Sequence, residues 1–229
     1  MRKIFREETG LGLLTLALAG VSPLVFPAAQ AGLAKMSTLA VRALVPSVAL
    51  LAAVVTLAAR RSHVRLVNRV LAGGAAGLIA TLGLEAFRIS SFRLGGMPGD
   101  LPQLMGVLLT DRFMLGPSLL STVLGYAYHF WNGACFGIVF AVLLGRKGPA
   151  WAMPYGLLIG VGFLGSPAVK AMGVGLFAVG MPSMALTVVL AHLAYGCFLG
   201  FLVRRWVSGT ARGEEIGMDP AAIPLGGDL

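Results

Sequence analysis

The chain has 229 residues, of which 57% are apolar and only 12% charged, and its mean hydropathy is +0.87. A water-soluble domain carries about twice that share of charge, so most of this surface meets lipid rather than water. The formal charge of +9 does not mark a nucleic-acid binder, because the basic residues sit in short clusters between apolar runs, without a basic stripe interleaved with aromatics.

A helix needs about 20 apolar residues to cross the hydrocarbon of a bilayer. Runs of that kind predict an all-α, polytopic transmembrane bundle of about six spans, near residues 10–29, 38–59, 66–87, 117–144, 150–169 and 183–203. Residues 1–65 then form two N-terminal transmembrane helices, 66–206 a four-helix membrane core, and 207–229 a disordered cytoplasmic tail rich in Gly, Pro and acid. Placing both termini in the cytoplasm puts twelve basic residues inside and six outside, the asymmetry expected of a bacterial inner-membrane protein. Trp151 and Trp206 fall beside the inner basic clusters, where amphipathic rings anchor helices.

Along the chain, the first run has a second reading as a signal peptide, from Arg2 and Lys3, the apolar residues 11–19 and the small-residue pattern Ala29-Gln30-Ala31. In the third span Glu85 has two prospective partners, Arg88 one turn along and Lys170 near the end of the fifth span. Asp100, as an N-cap with Gln103 closing a capping box, predicts a short amphipathic interfacial helix over residues 101–110 on the outer side. Gly165-Ser166-Pro167 breaks the fifth span, and residues 171–180 are too short to cross and read as a re-entrant or interfacial arm. Cys135 and Cys197 lie inside apolar runs, which argues against a disulfide framework. Seven methionines, from Met36 to Met184, fall at or near the outer face, where soft thioethers suit Cu(I) but also fill gaps in apolar packing.

The most informative pattern is a repeat in the fourth and sixth spans. His129 continues to Gly133 and Gly137, and His192 to Gly196 and Gly200, so both read H-x3-G-x3-G. The preceding spans carry spaced glycines, Gly73, Gly77 and Gly83 against Gly156, Gly160 and Gly165, which fits two parallel two-helix halves. Both histidines fall near mid-span, where they could share one site. Polar groups at such depth need partners, and those on offer are Tyr126, Tyr128, Asn132, Thr187 and Tyr195.

Three stretches carry a family likeness: Gly77-Leu78-Ile79-Ala80-Thr81 with Glu85, His129 with Phe136-Gly137-Ile138-Val139-Phe140-Ala141, and His192-Leu193-Ala194-Tyr195-Gly196. In these the chain resembles the YagU-like inner-membrane proteins of bacteria, over about residues 66–205 and excluding the first two spans. The resemblance implies a four-helix core and brings no catalytic residues.

Three functional classes follow. The first is a non-enzymatic accessory or scaffold subunit, packed with other membrane subunits or with itself, which the Gly-rich faces and scarce intramembrane charge favour. The second is a cofactor-binding subunit, with His129 and His192 as axial ligands of a b-type haem, or of a pigment or metal, and Gly133 and Gly196 relieving contact with it. The third is a small transporter or channel, with the broken fifth span as its support. Catalysis ranks last, since no spacing aligns a carboxylate with a histidine.

Overall fold

The computed structural model describes residues 2–209, and their side chains from residue 7 onward. The expected tail beyond residue 209 and the side chains of Arg2, Lys3 and Arg6 lie outside that range. The described residues are helical, with no strand, and five helices are long and apolar enough to cross a membrane. Helices suit this solvent because each satisfies its backbone polar groups internally, where no water can.

The first helix, α1 (Arg2–Gln30), carries Pro23 and Pro27 in its interior. Each removes a donor from the ladder, and Tyr128, from the fourth apolar span, supplies a hydroxyl nearby. Tyr128 Oη donates to Ser22 O at 2.7 Å and accepts from Phe26 N at 3.2 Å, the two groups a straight helix would pair with each other. The second apolar segment is α2 (Met36–Leu39), a π turn over Ala40–Leu44 and α3 (Val45–Arg60). The π turn falls where Pro46 cannot donate to the carbonyl of Arg42.

The core begins with α4 (Val64–Arg93), followed by α5 (Leu101–Leu109), α6 (Leu119–Leu144), α7 (Pro149–Leu164), α8 (Pro167–Ala171) and α9 (Pro182–Trp206). Ser118 caps α6 in a reciprocal box with Ser121, and Gly145, at φ 62°, ends it. The expected helix after Asp100 is present as α5. Asp100 accepts from Gln103 N at 3.4 Å, while the Gln103 amide reaches Thr122 Oγ1 at 3.5 Å. Gly106 of α5 meets Ser121 and Gly125 of α6, and Pro102 meets Gly125, so α5 runs antiparallel along the first turns of α6.

The fifth apolar run is shorter than expected. Helix α7 has 16 residues, about 24 Å at 1.5 Å per residue, and stops at Gly165, where Pro167 restarts the chain as α8. The arm that follows turns at Gly173 and Gly175 and passes through a short 3-10 turn, Leu176–Ala178, before α9. Six of the seven methionines pack into two apolar clusters where α1, α5, α8 and α9 meet, whereas Met114 is exposed. Cys135 and Cys197 are free thiols.

Helix α4 lies between α6 and α9; α9 also packs on α7, α6 carries α1 and α5, and α1 carries α3. Lipid tails offer no hydrophobic gain for helix association, so close backbone approach has to supply the contact energy. A Cβ on Gly77 would strike the Gly133 carbonyl, and one on Gly137 would strike Gly73 O. In the second pair a Cβ on Gly156 would strike His192 O, and one on Gly196 the Ala152 carbonyl. The helices alternate so that Arg60, Arg61, Arg65, Arg69, Arg146, Lys147, Arg204 and Arg205 fall at one end of the bundle. There Arg61 pairs with Glu7 at 2.9 Å, Arg65 with Glu8 at 3.3 Å, and Ser208 N donates to Asn68 at 2.8 Å.

Replacing Gly77 with Ile should lower the melting temperature in detergent sharply, since overpacking a tight contact costs about 1–3 kcal/mol or more. Gly20→Ala, where a Cβ meets nothing within 4 Å, should leave it unchanged. Equal effects at the two positions would mean that the α4–α6 approach is not what holds the core.

Candidate functional site

Glycine packing fixes how α4 and α6 align, and that alignment brings charge together. Glu85 and Arg88 stand one turn apart on α4, and Tyr126 and His129 one turn apart on α6, so the two pairs face each other. Arg88 grips Glu85 with both prongs of its guanidinium, Nε to Oε1 at 2.6 Å and Nη2 to Oε2 at 2.7 Å. Arg88 Nη2 also donates to Tyr126 Oη at 3.1 Å. Asp100 closes the group: its Oδ1 lies 3.3 Å from Arg88 Nη1, and its Oδ2 accepts from Tyr126 Oη at 2.9 Å. One carboxylate thus caps α5 and pairs with a buried arginine.

His129 joins this network from the other side, with Nε2 3.0 Å from Glu85 Oε1, off the line of a well-directed hydrogen bond. The Glu85 and Arg88 side chains are only 6% and 4% exposed, so their charges have left water and depend on one another. Of the two partners the sequence offered Glu85, Arg88 takes it, and Lys170 stands exposed on α8.

The second histidine faces different chemistry. His192 Nδ1 lies 2.8 Å from Val188 O, which can only accept, so Nδ1 carries the proton and Nε2 keeps its lone pair. Its ring rests on Gly160, whose Cβ would sit 2.9 Å from Cγ. Gly160 therefore holds against His192 the place that Glu85 holds against His129. The sequence alignment of the preceding helices, Gly77 with Gly160, is off by about two turns: Gly77 meets Gly133, while Gly196 meets Ala152, Met153 and Gly156.

Both histidines line one pocket of about 380 Å³. Its walls come from α1 at Pro23 and Phe26, α6 at Asn132 and Phe136, α7 at Ile159 and α9 at Val188, with Met97 and Met105 at the Asp100 end. Most of the lining is apolar. Asn132 Oδ1 is held by Ser22 Oγ at 2.6 Å, and Tyr195 Oη donates to Gly133 O at 2.7 Å, tying α9 to α6. Of the residues picked from sequence, His129, His192, Asn132, Thr187, Tyr195 and Gly133 line this pocket, and Glu85 and Tyr126 stand behind His129.

The glycines expected to relieve a cofactor are used otherwise, since a Cβ on Gly133 would strike Thr81 of α4 and one on Gly196 would strike Ala152 of α7. His129 turns Nε2, the nitrogen farther from its backbone, toward Glu85, and its ring is part of the pocket lining. Among the described residues no three His, Cys, Asp or Glu side chains converge as metal ligands. A scan against protein-family models and searches of curated proteins and of solved structures found no match to the chain.

Sequence reasoning missed the contact between Glu85 and His129, and Asp100 as a partner of Arg88. The available signal was the bracketing of a buried Glu-x-x-Arg turn by a histidine span and by an acidic cap just beyond the helix end. Removing one charge should be worse than removing both. Arg88→Leu leaves Glu85 uncompensated and should cost about 3–5 kcal/mol, while the double variant Glu85→Leu with Arg88→Leu should recover much of that loss in detergent melts. A double variant no more stable than the single one would show that the pair is not the source of the cost.

Proposed function

We propose that this chain is a non-enzymatic, multi-pass bacterial inner-membrane protein that binds a small lipophilic molecule in the pocket between α1, α6, α7 and α9. The observation that carries this reading is that both repeated histidines open onto the same apolar cavity, of a volume suited to a small ligand. The pattern is that of a binding site: apolar walls and a few placed polar groups, the free Nε2 of His192 and the ring of His129 among them. The resemblance to YagU-like proteins agrees with the location and is silent on the ligand.

In this reading both termini are cytoplasmic and the chain crosses six times, with α7 the shortest crossing and α8 with its following arm completing the outer half. Helix α5 lies at the outer face. The convergence of Arg60, Arg61, Arg65, Arg69, Arg146, Lys147, Arg204 and Arg205 toward one end supports that orientation. A second reading, an accessory subunit in a larger membrane assembly, is favoured by the second apolar segment, only 17% of whose most apolar window is buried within the chain. That face suits a partner helix as well as lipid.

Two experiments test these readings. Single cysteines at Gly99 and at Gly209, in a chain with Cys135→Ser and Cys197→Ser, should label from opposite faces of the membrane. Labelling from the same face would end the six-crossing topology. In native mass spectrometry from mild detergent the protein should carry a bound lipophilic molecule. Ala191→Phe, which fills the pocket, and Ile159→Trp on the opposite wall should lose it without a large fall in melting temperature. Retention of the molecule in both variants would place it elsewhere.

A further inference from the structure

At the basic end of the bundle, three guanidinium groups from separate parts of the chain meet at the turn between α6 and α7, Gly145-Arg146-Lys147-Gly148. A Cβ on Gly145 would sit 3.0 Å from Arg69 Nη2 of α4, and one on Gly148 would sit 3.7 Å from Arg204 Nη1 of α9. Arg146 lies on the turn itself and donates from Nη2 to Arg204 O at 3.1 Å. Beside them Lys147 Nζ stands 5.0 Å from the centre of the Trp151 ring.

Among the described residues this charge has no counterpart. The carboxylates at this end are Glu7 and Glu8, and Arg61 and Arg65 hold them. Arg69, Arg146, Lys147 and Arg204 form no ion pair with any described residue. Their donors are also largely unspent, since a guanidinium carries five N–H groups. Arg69 gives one to Val142 O at 3.1 Å and Arg146 one to Arg204 O, two of the carbonyls that helix ends leave unpaired, and Arg204 gives none to a described group. Helix α7 adds to the same place, because it starts at Gly148 and Pro149 with no side-chain cap and turns the positive pole of its dipole toward the cations.

Like charges gathered in this way repel, and an anion set among them replaces repulsion with attraction. A phosphate suits the donors, since its oxygens accept from several guanidinium groups at once. The neighbouring side chains put that phosphate at a lipid headgroup: Trp151, beside Lys147, is 55% exposed, and Phe201, one turn before Arg204, is 66% exposed. Exposed rings next to a basic cluster mark the level at which headgroups give way to acyl chains.

We propose that the α6–α7 turn binds the phosphate of an anionic phospholipid, with Arg69, Arg146 and Arg204 as its donors and Lys147 and Trp151 flanking it at the interface. A phosphatidylglycerol headgroup brings one net negative charge to these cations. Phosphatidylcholine brings the same phosphate with a quaternary ammonium that they repel, so the site discriminates between the two. The proposal stands apart from the pocket between α1, α6, α7 and α9, and neither depends on the other.

The test follows lipid adducts of the full chain by native mass spectrometry in mild detergent, with dioleoyl phosphatidylglycerol and dioleoyl phosphatidylcholine offered in equal amounts. Melting temperatures are taken with and without each lipid. Phosphatidylglycerol should be retained in preference and should raise the melting temperature. Arg146→Gln and Arg204→Gln, both at exposed side chains, should melt like the parent in detergent alone and should each weaken phosphatidylglycerol binding about fivefold to tenfold. Arg60→Gln, which removes the same charge from α3, should leave binding unchanged. Equal retention of the two lipids overturns the proposal, and so does a loss in Arg60→Gln as large as that in Arg204→Gln, since attraction then follows total charge alone. Displacement of the lipid by millimolar inorganic phosphate assigns the turn to a soluble anion. A preference that emerges only when residues 210–229, with Glu214, Glu215, Asp219 and Asp228, are deleted assigns it to the chain's own carboxylates. Either of these results also overturns the proposal.

Discussion

Close approach of α4 to α6 is the constraint on which the rest of this molecule depends. With lipid on the outside, packing of main chain against main chain is among the few attractions available between apolar helices. Gly73 and Gly77 against Gly133 and Gly137 provide it. Having met at those positions, the helices have no freedom left over which side chains come opposite one another two turns further on. Glu85 meets His129 and Arg88 meets Tyr126 as a consequence of glycines that carry no chemistry themselves.

The same device recurs in α7 and α9, and the two pairs differ at one position. Where the first pair has Glu85 opposite its histidine, the second has Gly160, so one imidazole is tied to a charged network and the other to a backbone carbonyl of its own helix. The pocket lies between these unlike imidazoles. Two similarly packed helix pairs thus present two histidines with different hydrogen-bonding roles, which a symmetric site could not do.

Much of the fold was legible because it is a property of composition over long windows. Charge-free runs of the right length lead directly to helices, and five of the six expected runs are long enough to cross. The fifth run was overestimated because Gly165 and Ser166 are apolar enough in a window average to conceal the break that Pro167 enforces. Asp100 was legible as a cap because a cap is local. Its pairing with Arg88 was not, since it requires the chain after α4 to fold back along α6. The Glu85–Arg88 pair lies within one turn and could be read; Glu85–His129 depends on helix register, which sequence spacing does not carry. Matching the glycines of α4 and α7 by order alone shifted the repeat by two turns, because glycines with different partners look alike in a sequence.

The hydroxyl of Tyr128 couples the first helix to a residue more than a hundred positions later in the chain. During synthesis α1 enters the membrane long before α6 exists. In that interval the turn around Pro23 lacks the group that bridges Ser22 O and Phe26 N, and the carbonyl of Ala19 has no proline N–H to receive. Backbone groups left unpaired in hydrocarbon cost several kcal/mol each. The turn of α1 from Ser22 to Phe26 is therefore completed by a side chain that only the fourth apolar span supplies.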